Sequence, residues 1–383
     1  MRYRITIPAR INILGNPTDA NEGDFATISA AINIYAGAYI ENNSDIISFS
    51  SLPCKAEFNN LCELSPIITE SYPNNHIPLP YTGNLDLLKA AINRLFQYSD
   101  EFRQKILSGG FHLYTWSEVP QQSGLGGSSL FVILALAGMR TIYQLNTRTH
   151  NDYFLAETAQ RVESKELGIT CGFADRYVPL FGGIAYLDYR GKLYHHGIKN
   201  EPYTTYERLD PWIEDIPIVA ISTGIQHDSG DVHGRMRPVY LEEYKIWENK
   251  GGDPPPMVQL MSQAWKCAWQ GKIALLEADL VTFGKLMNQN HHLVNEMMHY
   301  CGFPDGAGWA NNQLIKFALE NGALGAKLTG AGSGGSVFAL INPGIEDDFI
   351  NAWLETAKLI GLDAAQVYRP SISKRGLWVE IDG

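Results

Sequence analysis

Hydrophobic positions along the chain follow three patterns. Alternation runs from Arg2 to Ile7 and carries on through Pro8-Ala9-Arg10-Ile11-Asn12-Ile13-Leu14 to a glycine turn, which predicts a first strand. Ile28 to Ile40 is a β-rich run with small residues, and Phe111 to Tyr114, Ile216 to Ser222 and Val337 to Ile341 are shorter strand-like runs. Helical spacing appears over Asn84 to Tyr98, with Leu85, Leu88, Ile92, Leu95 and Phe96 on one face, and again over Asn151 to Leu167. Leu130 to Leu136 is apolar all round and too long for an ordinary strand, so it reads as a buried helix. Residues 239 to 300 read as mostly helical, broken at Gly251-Gly252-Asp253-Pro254-Pro255-Pro256. The Pro- and Asn-rich stretch Ser65 to Pro80 reads as a loop. Periodicity lapses from Tyr194 to Pro217, which puts a junction there and divides the chain into halves at 1–205 and 206–383.

Composition narrows the class. A chain of 383 residues, 45% of them hydrophobic and 36 of them glycine, fits two ordinary globular domains. The net charge of −11, with no basic stripe, argues against a nucleic-acid surface. No signal-peptide core or stretch of membrane-spanning length is present, so no membrane partner is expected. The five cysteines are scattered without Cys-x-x-Cys or zinc-ligand spacing, which points to a reduced, cytoplasmic setting. His227, His233, His291 and His292 include no His-x-x-x-His pair, so no histidine-bound metal is expected.

The candidate chemistry is concentrated in glycine-rich turns. Pro120-Gln121-Gln122-Ser123-Gly124-Leu125-Gly126-Gly127-Ser128-Ser129 opens the buried helix. Unsatisfied N–H groups and the positive dipole end make such a helix start an anion site, and glycine lets a phosphate approach the backbone. A serine there can also turn its hydroxyl to a divalent metal. No Lys-Ser/Thr pair follows the glycines, so this is not a Walker A loop. Further on, Asp175-Arg176 lies between the glycine turns Gly172 and Gly182-Gly183, and Lys327-Leu328-Thr329-Gly330-Ala331-Gly332-Ser333-Gly334-Gly335-Ser336 forms another glycine-rich loop. Taken singly these are a capped helix, a surface ion pair and a flexible turn.

Taken in order they resemble the three motifs of the GHMP kinases. The first motif of that family, Pro-x-Arg/Lys-x-x-x-x-Gly-Glu-His-x-Asp, is matched by Pro8, Arg10, Gly15 and Asp19, with Asn16-Pro17 in place of Glu-His. Within the family the uronate branch, the glucuronokinases, is most similar. Gly15-Asn16-Pro17-Thr18-Asp19, the phosphate loop, Lys165 to Ile169 with Asp175-Arg176, and Asp228-Ser229-Gly230-x-Val232-His233 with Arg237 carry that likeness. The resemblance implies a two-domain α+β fold, with an N-terminal half like ribosomal protein S5 domain 2 and a ferredoxin-like C-terminal half. It implies ATP and Mg²⁺, and a small sugar or sugar-acid acceptor. Gly124, Leu125, Gly126, Gly127, Ser128 and Ser129 would hold the phosphates, and Ser128 and Glu163 the metal. Asp175 would be the catalytic carboxylate, with Arg10 beside it. Asn16, Asp19, Arg176, Asp228, His233, Arg237, Gly330, Gly332 and Ser333 would bind the acceptor, and Arg176, Arg235 and Arg237 are the candidate cations for a uronate carboxylate. A heptose-phosphate or other sugar kinase, and an inactive homologue acting as a binding protein, remain the alternatives.

Overall fold

The computed structural model of the chain describes residues 1–20, 25–43, 46–52, 68–73, 81, 85–120, 123–189, 203–213, 215–226 and 229–382. Its organising element is strand β1 (Arg2–Leu14), buried without a break from Ile5 to its end. A strand buried on both faces has no need of strict alternation, which is why Ile5, Ile7, Ile11 and Ile13 share the run with Arg10 and Asn12. β1 pairs antiparallel with β2 (Ala26–Asn43), and β2 pairs with β5 (Gly110–Ser117). Beyond β5 lie β3 (Ile46–Leu52), parallel to it, and β4 (Ile68–Pro73). β6 (Ile184–Asp188) joins the other end of β2 and carries β7 (Thr205–Arg208). The last strand, β12 (Trp378–Asp382), returns to the free edge of β1, with Arg2 opposite Asp382.

The second sheet has four antiparallel strands: β8 (Ile218–Ser222), β9 (Gly325–Thr329), β10 (Ser336–Leu340) and β11 (Gln366–Tyr368), in the order β11-β8-β10-β9. With helices between β8 and β9 and between β10 and β11, this is the split β-α-β arrangement of ferredoxin-like sheets. A separate small core of Val219, Leu314, Val337 and Trp353 lies under it.

Helices fill the rest. α1 (Asp86–Tyr98) and α2 (Asp100–Ile106) precede β5, and α3 (Gly127–Ile142) is the all-apolar helix expected after the glycine loop. α4 (Asp152–Arg161) runs into a π-helical turn, Val162–Glu166, and α5 (Ala174–Phe181) follows. The C-terminal half adds α6 (Ser229–Lys250), α7 (Pro256–Leu276), α8 (Leu280–Tyr300), α9 (Trp309–Glu320) and α10 (Glu346–Leu359). α3, α5, α7 and α8 all reach β1, so the two halves share one large core around that strand. Among the described residues no helix is long and apolar enough to cross a membrane.

Three details differ from what the sequence patterns predict. The stretch expected as a loop at 65–80 contains β4, which its prolines and asparagines concealed. The helical stretch expected from residue 239 begins earlier, at Ser229, because Gly230, Gly234 and Pro238 interrupt the periodicity of the first turns of α6. The helix expected to run to Leu167 changes to a wider pitch at Val162, closed by Leu167 N–H donating to Val162 O at 3.2 Å.

Candidate active site

The end of β1, the start of α3, the π turn, the start of α5, the β9–β10 loop and the start of α6 converge on one cleft of about 510 Å³. Its lining includes Arg10, Asn16, Asp19, Gly124, Gly126, Gly127, Ser128, Glu163, Asp175, Arg176, His233 and Gly330, residues that are spread over 320 positions of sequence (10 to 330). Most of the residues that the sequence nominates therefore meet in one place.

Asp175 stands in the first turn of α5, and its carboxylate is about one-fifth exposed. Arg10 Nε donates to its Oδ1 at 2.6 Å, and Asn12 Nδ2 lies 3.4 Å from the same oxygen. Burial acts to raise this carboxyl, but the charge and hydrogen bond of Arg10, the charge of Arg176 and the Asn12 contact outweigh it. Asp175 is held well below the usual carboxylate range and stays ionised. The second arm of Arg10 reaches Gly124 O, so one buried guanidinium ties the reactive carboxylate to the phosphate loop.

Asp19 has a structural task besides lining the cleft. Its Oδ2 accepts from Phe173 N at 2.9 Å and Ala174 N at 3.1 Å, two donors at the mouth of α5. A Cβ on Gly172 would come within 2.1 Å of that oxygen, so only glycine lets the cap close. Burial, and then the neighbouring charge of Asp175, push the Asp19 carboxyl up. Asp19 lines the cleft, but it also fixes the helix start that carries Asp175.

Arg176 is bound inward. Its side chain is 1% exposed, with Nη2 at 2.7 Å from Glu163 Oε2 and Nη1 donating to Gly172 O at 2.6 Å. The π turn is what swings Glu163 into the site, a use such turns often serve. The second oxygen of Glu163, Oε1, is buried without a hydrogen-bond partner among the described residues. A carboxyl oxygen left open beside a cleft suits a hard divalent cation, and exposed Ser128 in the first turn of α3 offers a hydroxyl. The donor set therefore fits Mg²⁺, which keeps several waters and needs few protein oxygens.

Gly126 takes a left-handed conformation (φ 84°) just before α3, and no side chain caps the helix, so its first N–H groups face the cleft side. Leu125 and Ser129 are buried; they contribute backbone, and Leu125 O accepts from Arg10 N. Gly330 of the third motif lies directly on this loop. A Cβ there would sit 2.9 Å from Gly124 Cα, so the close approach of the two loops requires glycine. Gly332 and Ser333 are not in the cleft. Gly332 packs against Met298 and Ala307, while Ser333 lines a separate hollow with Ile225, Phe303 and Trp309. Arg237 lies one turn beyond His233 on α6 and does not line the cleft, and Asp228 is outside the described residues.

Comparisons with known proteins agree with this geometry. The family profile GHMP kinases N terminal domain matches residues 86–183, and GHMP kinases C terminal matches 272–359. Probable glucuronokinase 2 of Arabidopsis thaliana is 30% identical over 338 residues, covering 88% of this chain and 84% of that protein. The chain belongs to the GHMP kinase family. Members of this family are ATP-dependent phosphotransferases. Another relative, the D-glycero-alpha-D-manno-heptose 7-phosphate kinase of Campylobacter jejuni, is 26% identical over 363 residues, covering 91% of this chain and 92% of its own. The galactokinase of Lactococcus lactis, solved with galactose, superposes with a TM-score of 0.75 at 18% identity, over 98% of this chain and 95% of that one. The two-domain GHMP kinase fold, mixing helix and sheet, is thus established.

Sequence reasoning missed three residues of this GHMP kinase site. Asn12, inside the first motif, touches Asp175, and Ser29 Oγ donates to its side-chain oxygen at 2.9 Å. Thr329 Oγ1 accepts from Asn12 N at 3.0 Å and reaches Gly124 O at 3.4 Å, linking all three motifs. Lys327 is wholly buried behind them. A polar residue inside an otherwise apolar strand was the available signal for each.

The loop assignment has a direct test. Ser128→Ala will raise the Mg²⁺ concentration needed for half-maximal rate, and excess Mg²⁺ will restore part of the lost activity. Titrating Mg²⁺ at fixed ATP reads this out. An unchanged Mg²⁺ dependence would return the loop to a plain helix start.

Proposed function

We propose that the protein is a sugar kinase that transfers the γ-phosphate of ATP to the anomeric hydroxyl of a uronic acid, D-glucuronate foremost. The observation that carries the acceptor class is the presentation of His233 to the cleft by α6. Of the three arginines that a carboxylate could use, Arg176 is committed to Glu163 and Gly172. Arg235 lies exposed against Asp231 and over the Phe303 ring. His233 lines the cleft at the start of α6. The likeness to Probable glucuronokinase 2 supports the same acceptor.

Phosphoryl transfer asks for positioning and charge stabilisation more than for covalent help. The first turn of α3 holds the triphosphate oxygens with backbone N–H groups. Ser128 and Glu163 hold Mg²⁺, which when bound neutralises charge on the phosphates. Arg10 keeps Asp175 ionised and aimed at the acceptor hydroxyl. So acidic a carboxylate is a poor base in the ground state. It orients the hydroxyl and takes its proton only as the new O–P bond forms.

A heptose phosphate is the competing acceptor, favoured by the Campylobacter jejuni relative. Among the described residues lining the cleft, Arg10 and Arg176 spend their charge on Asp175 and Glu163, which leaves little of it for a phosphate dianion. Such a cleft matches one carboxylate charge better than a phosphate dianion. With charge-assisted bonds of about 1.5–3 kcal/mol at stake, kcat/KM for glucuronate will exceed that for glucose by roughly ten- to a hundredfold or more. The measurement compares glucuronate, galacturonate, glucose, galactose and heptose phosphates under one set of conditions. A neutral sugar or a heptose phosphate at the head of that series overturns the uronate reading and leaves the family untouched.

A further inference from the structure

Behind the cleft floor lies a charge that neither the phosphates nor the acceptor accounts for. Lys327, on β9 two residues before Thr329, is 0% exposed. Its Nζ donates to Asn16 Oδ1 at 2.6 Å, to Leu328 O at 3.0 Å and to Asn12 O at 3.4 Å. All three acceptors are neutral, and among the described residues no carboxylate pairs with it. The Phe338 ring of β10 lies 5.7 Å away. The titratable groups facing it are Cys267 from α7, a neutral thiol pushed up to about 11 by burial, and His291 from α8, which burial and the lysine's charge lower to about 4. Burying an ammonium among neutral partners is costly, and a protein selected for stability alone would place an apolar side chain there.

The contacts of the ammonium explain its presence. Asn16, which it grips, donates from Nδ2 to Gly330 O at 3.3 Å, and Gly330 packs on Gly124 of the phosphate loop. Asn290 of α8 clasps the same turn from the other side, accepting from Gly15 N at 3.0 Å and donating to Asn16 O at 3.2 Å. Asn12, whose carbonyl faces Lys327, touches Asp175 through its side chain. We propose that Lys327 is a positioning residue for phosphoryl transfer: through Asn16 it locks the end of β1 to the β9–β10 loop and sets the spacing between Asp175 and the phosphate loop, at the expense of stability. The inference rests on the kinase reading above for its catalytic half alone.

Burial lowers the Lys327 ammonium to about 7, far below the ordinary lysine value. The sign follows from linkage. Between the folded value and the unfolded one near 10.4 the unfolded chain binds more protons, so this group's destabilisation is greatest below about pH 7 and fades as pH rises toward 10. Lys327→Met keeps the length and removes the charge. The variant will melt no lower than the wild type at pH 6, and its advantage will shrink by pH 10. This needs no acceptor, so it stands apart from the substrate question.

The kinetic arm uses whichever acceptor is turned over. Misplacing groups by a fraction of an ångström can cost roughly ten- to a hundredfold, so kcat of Lys327→Met falls by that much while KM for ATP, set at α3, changes little. Asn16→Ala removes the linking side chain and will lower kcat likewise. Because both act through one contact, the double variant will lose no more than the worse single one. Losses that multiply in the double variant, an unchanged kcat in Lys327→Met, or a melting temperature below wild type at pH 6 would each overturn the proposal. Should Lys327→Met not fold, Asn16→Ala with unaltered kcat overturns it equally.

Discussion

Asp175→Asn will fold and bind nucleotide nearly as the wild type does, yet turn over roughly 10²–10⁴ times more slowly, the range for residues that handle a transferring proton. The substitution is close to isosteric. An amide oxygen still accepts from Arg10 Nε, and Asp19 still caps α5, so the frame survives. What is lost is a negative charge aimed at the acceptor hydroxyl. Burst and steady-state kinetics beside a nucleotide-binding titration separate the two effects, and a near wild-type kcat would remove Asp175 from the mechanism. A corollary concerns pH. Because Arg10 and Arg176 hold this carboxyl well below the usual range, its stabilising contribution is complete above the unfolded aspartate value near 3.9. It fades only as pH falls toward the depressed folded value. An acidic limb of kcat in the ordinary carboxylate range will therefore titrate with some other group.

Arg176→Met will produce the largest loss of stability, about 3–5 kcal/mol, the cost of leaving one member of a buried pair without its partner. Glu163 is only 3% exposed and Arg176 1%, so water cannot take over from the missing guanidinium. Gly172 O loses its donor as well. Arg176→Lys will recover part of the loss, since an ammonium restores the charge but not the fork that serves both acceptors. Denaturant unfolding of the three proteins measures this, and a change below about 1 kcal/mol, the size for a surface pair, would contradict the burial argument.

How much of this was legible in the sequence depends on whether a residue's role is local. β1 and α3 announce themselves because burial imposes a continuous pattern on consecutive residues. The glycine loop before α3 is legible for the same reason, since the left-handed turns at Gly124 and Gly126 are properties of the backbone itself. Arg176 was misjudged as a free cation because its partner, Glu163, is presented by a π turn, where a 3.6-residue period gives the wrong face. Asp19 looked like an acceptor ligand and is also a cap for a helix more than 150 residues away (|i−j| = 154). Lys327 stands out as a charge in an apolar strand, but its role was illegible, because nothing in Gly325 to Thr329 shows that its acceptors are Asn12 and Asn16, more than 300 residues earlier.

The pairing of Arg2 with Asp382 has a consequence for synthesis on the ribosome. β1 has its outer partner in β12, so its edge stays uncovered while residues 15–377 are translated. At about 5–20 residues per second that stretch takes roughly 20–75 s, far longer than a strand edge needs to find a wrong neighbour. Arg2 and Arg4 are exposed on that strand, and like charges on an open edge discourage pairing between nascent chains. Synthesis of β12 then becomes a structural event: only once it has emerged can the edge of β1 be covered.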